Sequence, residues 1–328
     1  MTQVLNRTST NAAGSSQKKA RRFGDVIFHQ LTRVCAVFVL LLVVAIGWQL
    51  MRMATPAIDE FGWGFLTSTE WNPVTEVFGA GAPLFGTIVS SLLALLVAVP
   101  VSLGIAIFLT QMAPGFLRRP IGMAVELLAA IPSIIYGLWG LFVLSPWLAN
   151  KVQPWMTEQL GDWPLIGALF QGPPMGIGMF CAALVLSIMV IPFMASVLVE
   201  LFDSVPVPLK EASFGLGSTR WEMVTKVVIP HVRAGTIGAF MLGLGRALGE
   251  TMAVTFVIGN AHRVSAGLFE PGSSIASTLA NEFTEASSNL YLSSLMYLGL
   301  VLFLLTFVVL VLARLLLWRL GQNKGGAR

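Results

Sequence analysis

The sequence predicts an all-α polytopic membrane protein with six transmembrane helices, and three observations predict it: composition, the length of the apolar runs, and the placement of the basic residues. Of its 328 residues, 55% are hydrophobic and only 11% charged, against about 25% charged in an ordinary soluble domain. With mean hydropathy at +0.80, a soluble fold would leave large bare apolar patches, so lipid has to be the main solvent. A spanning helix needs about 20 apolar residues, and runs near 34–51, 84–110, 121–148, 175–199, 235–259 and 291–317 meet that length. Sixteen of the twenty Lys and Arg residues flank these runs on one side, among them Lys18, Arg21, Arg118, Arg119, Lys210, Arg220 and Arg314. Arg52, Lys151 and Arg263 fall on the other side, so the positive-inside rule puts both termini in the cytoplasm.

In chain order, residues 1–22 are polar and Lys-rich and are expected to form a disordered cytoplasmic tail. Residues 23–55 hold the first span, too long in its apolar run for a cleaved signal peptide. Residues 56–82 form an outer loop. Trp48, Trp63, Trp71, Trp147, Trp155 and Trp163 gather at the outer ends, where amphipathic rings suit the headgroup region. Pro100, Pro132 and Pro192 lie inside the second, third and fourth spans and are expected to bend them. Cys35 and Cys181 lack metal-type spacing, and His29, His231 and His262 share no spacing, so no metal or cofactor is assigned.

The loop of about 200–234 is too apolar for a solvated linker. Pro206 and Pro208 can open a short helix carrying Leu209, Ala212, Ser213 and Leu216 on one face, with Gly215 and Gly217 offering an end. Thr219 and Glu222 then form a capping box for a second helix, before Pro230 interrupts the path into span five.

Span five places Arg246 and Glu250 near its centre, where a charge costs about 2.5 to 3.5 kcal/mol on insertion scales. Four residues apart on a helix, they could pair with each other. Ala239, Gly243, Gly249 and Ala253 share their face, which is expected to point into the bundle, while Met241, Leu244 and Leu248 are expected to meet lipid. One reading is an internal salt bridge that fixes packing. The other makes Arg246 an anion contact, because a guanidinium offers a planar fork matched to tetrahedral oxyanions. Glu126 in span three is read as either an interfacial residue or a second intramembrane carboxylate.

Glu211, Ala212, Ser213, Gly217, Val227, Ile229 and Pro230 follow the spacing of the EAA loop of ABC importer permeases, which this segment resembles; Ser213, Val227 and Ile229 are mild departures. In that family the loop seats in the cytoplasmic ATPase. The strings GLGRALGETMAVTFVIGN, ELLAAIPSIIYGLWGLF, AVPVSLGIAIFLT and SIASTLANEF are similar to the membrane subunit of phosphate-specific ABC importers, from about residue 23 to 320. The resemblance implies a type I importer permease core over 83–318 with the coupling loop at 205–230, an extra first helix, and a short cytoplasmic tail at 319–328. It implies a bacterial plasma membrane, a second homologous permease, a dimer of ATP-binding subunits and an extracytoplasmic phosphate-binding protein, with no nucleic-acid partner. The chain has no Gly-Lys dipeptide and so no Walker A sequence, which makes it a transport subunit and not the ATPase. Another oxyanion such as sulfate, or a proton-coupled secondary transporter using Arg246, Glu250 and Glu126, are the alternatives.

Overall fold

The computed structural model describes the backbone of residues 5–164 and 166–322 and the side chains of residues 25–164 and 166–319. Apart from two isolated bridges, Asn72 with Val77 and Gly259 with Gly272, the described residues form helices and their connections. The chain divides into two units, residues 1–52 and 53–328.

The first unit is a single helical segment, part of α1 (Leu5–Phe61). Its side chains at 25–46 are all exposed, and a helix that is apolar on every side belongs in lipid. Residues 1–4 of the expected disordered tail lie outside the described residues, while from Leu5 the backbone is helical. That departs from the expectation, and the physical reason is that extending a formed helix costs far less than starting one, with Ala, Gln, Lys and Arg among the better formers.

In the second unit α2 (Gly81–Ile107) runs on through a wide turn to Met112. It is followed by α3 (Gly115–Ala130), α4 (Ser133–Leu160) and α5 (Met179–Asp203). Two short helices come next, α6 (Val207–Gly215) and α7 (Arg220–His231). Then come α8 (Arg233–Leu248), α9 (Met252–Val257), α10 (Ile275–Glu282) and α11 (Asn289–Gln322). Among the described residues, five helical stretches are long and apolar enough to cross a membrane, and a sixth crossing is counted if α7 and α8, bent by 77° at Val232, act together. α5 is the central element: 61% of its most apolar window is buried, against 17 to 28% in the other long helices of this unit. Its Val185, Leu186, Met189 and Val190 pack with Ala94 and Ala98 of α2 and Val257 of α9. Lower down, Leu198 and Phe202 pack with Met223, Val224 and Val228 of α7.

Two span boundaries differ from the sequence reading. The third span begins at Ser133 and extends to Leu160, while 115–130 is a separate helix. Pro132 has no N–H to donate and holds Ile131 in an extended conformation (ψ 129°), so the helix ends instead of bending. The Tyr136 hydroxyl bridges the break by donating to the Leu128 carbonyl at 2.8 Å. Pro100 and Pro192, by contrast, sit inside continuous helices. The fifth span is interrupted at Gly249–Thr251, between α8 and α9.

Candidate functional site

The interruption of the fifth span shapes the site. α8 stops at Leu248, and Glu250 lies in the non-helical link, where its Oε1 accepts from the Ala253 N–H at 3.3 Å and so caps the start of α9. Glu250 thus serves a backbone N–H freed by the break. Among the described residues it forms no ion pair with Arg246, which corrects the expected pairing: Arg246 belongs to α8 and Glu250 to the link, so the i,i+4 geometry of a continuous helix does not exist there.

Arg246 is exposed on this chain, and its guanidinium carbon lies 5.6 Å from the centroid of the Phe193 ring on α5. A cation over an aromatic face gains about 0.5 to 2 kcal/mol, which holds the side chain in place while leaving its five N–H donors free for another group. Ala239 and Gly243 face the bundle as expected, but Arg246 does not share their face. Ala239, Gly243 and Ala247 are buried, and a Cβ on Gly243 would meet Met194 Sδ at 2.5 Å, so this stripe brings α8 against α5. Leu248, expected in lipid, is buried as well, whereas Leu242 and Arg246 share the open face. Gly245 and Gly249 make no such close approach.

At the opposite end of α5 the loop forms the two helices that its sequence predicts. Pro206 precedes α6 and Pro208 occupies its first turn; the Lys210 ammonium donates to the Phe202 carbonyl at 3.2 Å, closing the C-terminus of α5. α6 ends at Gly215 and the chain turns away at Gly217, whose φ of +84° suits glycine, with Ser218 N donating to Ser213 O at 3.2 Å. The capping box is present: Glu222 N donates to Thr219 Oγ1 at 3.3 Å and Thr219 N to Glu222 Oε2 at 3.1 Å. The Thr219 N–H, helped by Lys226 at 3.0 Å, holds the Glu222 carboxyl down at about 2. Ser213 is buried, but Glu211, Ala212 and Pro230 are exposed. Leu216 and Trp221 are 89% and 69% exposed, leaving an apolar surface that this chain does not cover.

At the other end of the bundle, the structure assembles a cluster that residue spacing did not reveal. Glu282, at the end of α10, accepts from Trp71 Nε1 at 3.3 Å and from the Tyr291 hydroxyl, and lies 3.4 Å from His262 Nε2. The His262 ring stacks on Trp71 with centroids 5.3 Å apart. Burial lowers the His262 pKa, with Glu282 opposing. Trp71, expected as a headgroup ring, is therefore a packed ring, and Glu282 is an internal anchor. α10 itself is fastened by the Ser274–Ser277 capping box and by Ile275 N donating to Thr87 Oγ1 of α2 at 2.8 Å.

The signature of the family described as "Binding-protein-dependent transport system inner membrane component" matches residues 98–321. A "Phosphate transport system permease protein PstC" of Mesorhizobium japonicum is 54% identical over 313 residues, covering 95% of this chain and 96% of that protein. The protein of the same name from Pasteurella multocida is 54% identical over 301 residues, 92% of this chain and 94% of that one. Among solved structures, the MetNI methionine ABC transporter in an inward-facing crystal form aligns with a TM-score of 0.53 at 17% identity, covering 73% of this chain and 94% of that chain. A bacterial ABC transporter that imports alginate aligns with a TM-score of 0.55 at 17% identity, covering 89% and 98%. At such identities the likeness is one of fold.

Proposed function

Since this chain belongs to the family of binding-protein-dependent transport system inner membrane components, we propose that it is the permease subunit of an ATP-driven importer that carries inorganic phosphate across the bacterial inner membrane. The observation that carries the reading is Arg246: a permanently charged fork of donors in the middle of an apolar span, at a helix break, with no carboxylate paired to it among the described residues. Broken helices place polar groups at membrane depth where a pathway runs. Arg246 would contact phosphate in transit, and Glu250, by holding the start of α9, would keep the break open. Its negative charge beside the pathway favours brief occupancy, as conduction needs.

The exposed face of Arg246 would meet a second homologous permease. Phosphate delivered by an extracytoplasmic binding protein would enter between the two. The exposed apolar surface of the 205–230 loop, with Glu211, Ala212, Ser213, Gly217 and Pro230, would seat in a cytoplasmic ATP-binding subunit and transmit its closure to α5 and α8. We read the topology as six crossings with both ends inside, the permease core as 83–318 and the helix at 23–55 as an addition to it.

Labelled phosphate uptake, in cells that carry this chain as their only form of the subunit, tests the reading. ATP-dependent uptake that excess sulfate leaves unchanged is the expected result. Uptake that follows the proton gradient, or that sulfate abolishes, would overturn the mechanism or the substrate respectively.

A further inference from the structure

α3 has no part in the function proposed above. None of its residues is buried, and Phe116, Leu117, Met123, Leu127 and Leu128 are exposed, the pattern of a helix lying at a membrane surface. Between α3, the end of α2 and α5 lies a recess of about 900 Å³, lined by Leu109, Phe116, Met123 and Val199 together with Arg118, Arg119 and Glu126. Arg118 is ion-paired to Asp203 at the end of α5. Arg119 is exposed and forms no ion pair with any described residue. Glu126 stands seven residues on, two turns or about 10 Å along the same face. The recess adjoins the loop that follows Asp203, at the end of the bundle assigned to the cytoplasm by its basic residues.

We propose that this recess binds the phosphoryl oxyanion of an anionic phospholipid from the inner leaflet. The Arg119 fork takes the headgroup phosphate, because a guanidinium matches two phosphate oxygens at once and Arg118 is already engaged by Asp203. Leu109, Phe116, Met123 and Val199 take the first methylenes of an acyl chain, a wall that free phosphate has no use for. Basic pockets between helices on the inner side hold lipid headgroups by this same chemistry. Glu126, deeper on the same face, repels the phosphate and sets its depth at Arg119. Lipid here would also brace the Arg118–Asp203 contact that joins α3 to the start of the coupling loop.

The test uses the assembled transporter, extracted in mild detergent, with retained phosphatidylglycerol counted by native mass spectrometry. The wild-type complex retains phosphatidylglycerol, and Arg119→Gln retains about fivefold less, the worth of one cationic side chain beside an anionic leaflet. Glu126→Gln retains more, a gain that a damaged fold does not produce. Equal retention in all three would overturn the proposal. Displacement of the lipid from the wild type by added inorganic phosphate would overturn the lipid as source and give the recess to the free anion. Lipid retention is read without transport, so its failure leaves the Arg246 reading untouched, and failure of uptake in an Arg246 variant leaves the lipid site untouched.

Discussion

The 205–231 loop and the break at 249–251 are both short interruptions between long helices, yet they are built in opposite ways. In the loop the helix ends are closed by groups near them in the chain: Lys210 on Phe202, Gly217 at the helix end, Thr219 and Glu222 on each other. Its open surface has a large apolar part, led by Leu216 and Trp221. At the break Ala247, Leu248 and Ala253 are closed in, and beside the exposed Leu242 and Met252 a charge, Arg246, remains open. An open apolar face suits a protein partner, whereas an open guanidinium at membrane depth suits an anion that comes and goes.

Four substitutions sharpen this contrast, in descending order of effect. Glu211→Lys reverses a charge on the exposed loop helix and is expected to abolish ATP-driven uptake while leaving the amount of subunit in the membrane unchanged; normal uptake would separate the loop from coupling. Gly243→Val forces a side chain into Met194 and Val190, an overpacking that costs about 1 to 3 kcal/mol, read as a lowered thermal midpoint of the purified complex. Thr219→Ala removes the cap of α7 and is expected to cost about 1 kcal/mol, visible as faster proteolysis within 216–221.

The smallest effect concerns the outer cluster. Because burial lowers the His262 pKa in the folded protein, the neutral ring favours folding. Its contribution is complete above the ordinary histidine value of about 6.5 and is lost as pH falls below that value through the folded one. The thermal midpoint is therefore expected to drop as pH falls below about 6.5, and His262→Gln to flatten that drop; an unchanged slope would mean the ring does not titrate with folding.

The loop was legible in the sequence because its determinants are local. A capping box, a proline before a helix and a glycine after it act through neighbours in the chain, and the structure forms each of them. The third span was misplaced because hydropathy is continuous across Ile131–Pro132, which hides the break, and falls off near Asn150 and Lys151, although the helix continues to Leu160. The Arg246–Glu250 spacing assumed an unbroken helix, and Gly249 alone did not announce the interruption. The Trp71–His262–Glu282 cluster joins residues up to 211 apart, so no spacing rule could have found it. Arg246 itself was visible at once, since a charge inside an apolar run has no bland explanation until a partner is found.

The most direct measurement is phosphate uptake by Arg246→Gln, compared with wild type after co-purification has verified that the variant subunit still assembles with its partners. Gln keeps much of the volume and a hydrogen-bonding end but loses the charge and the fork. The account predicts an assembled transporter that no longer carries phosphate. Uptake at the wild-type rate would contradict it and reduce Arg246 to a packing residue seated on Phe193.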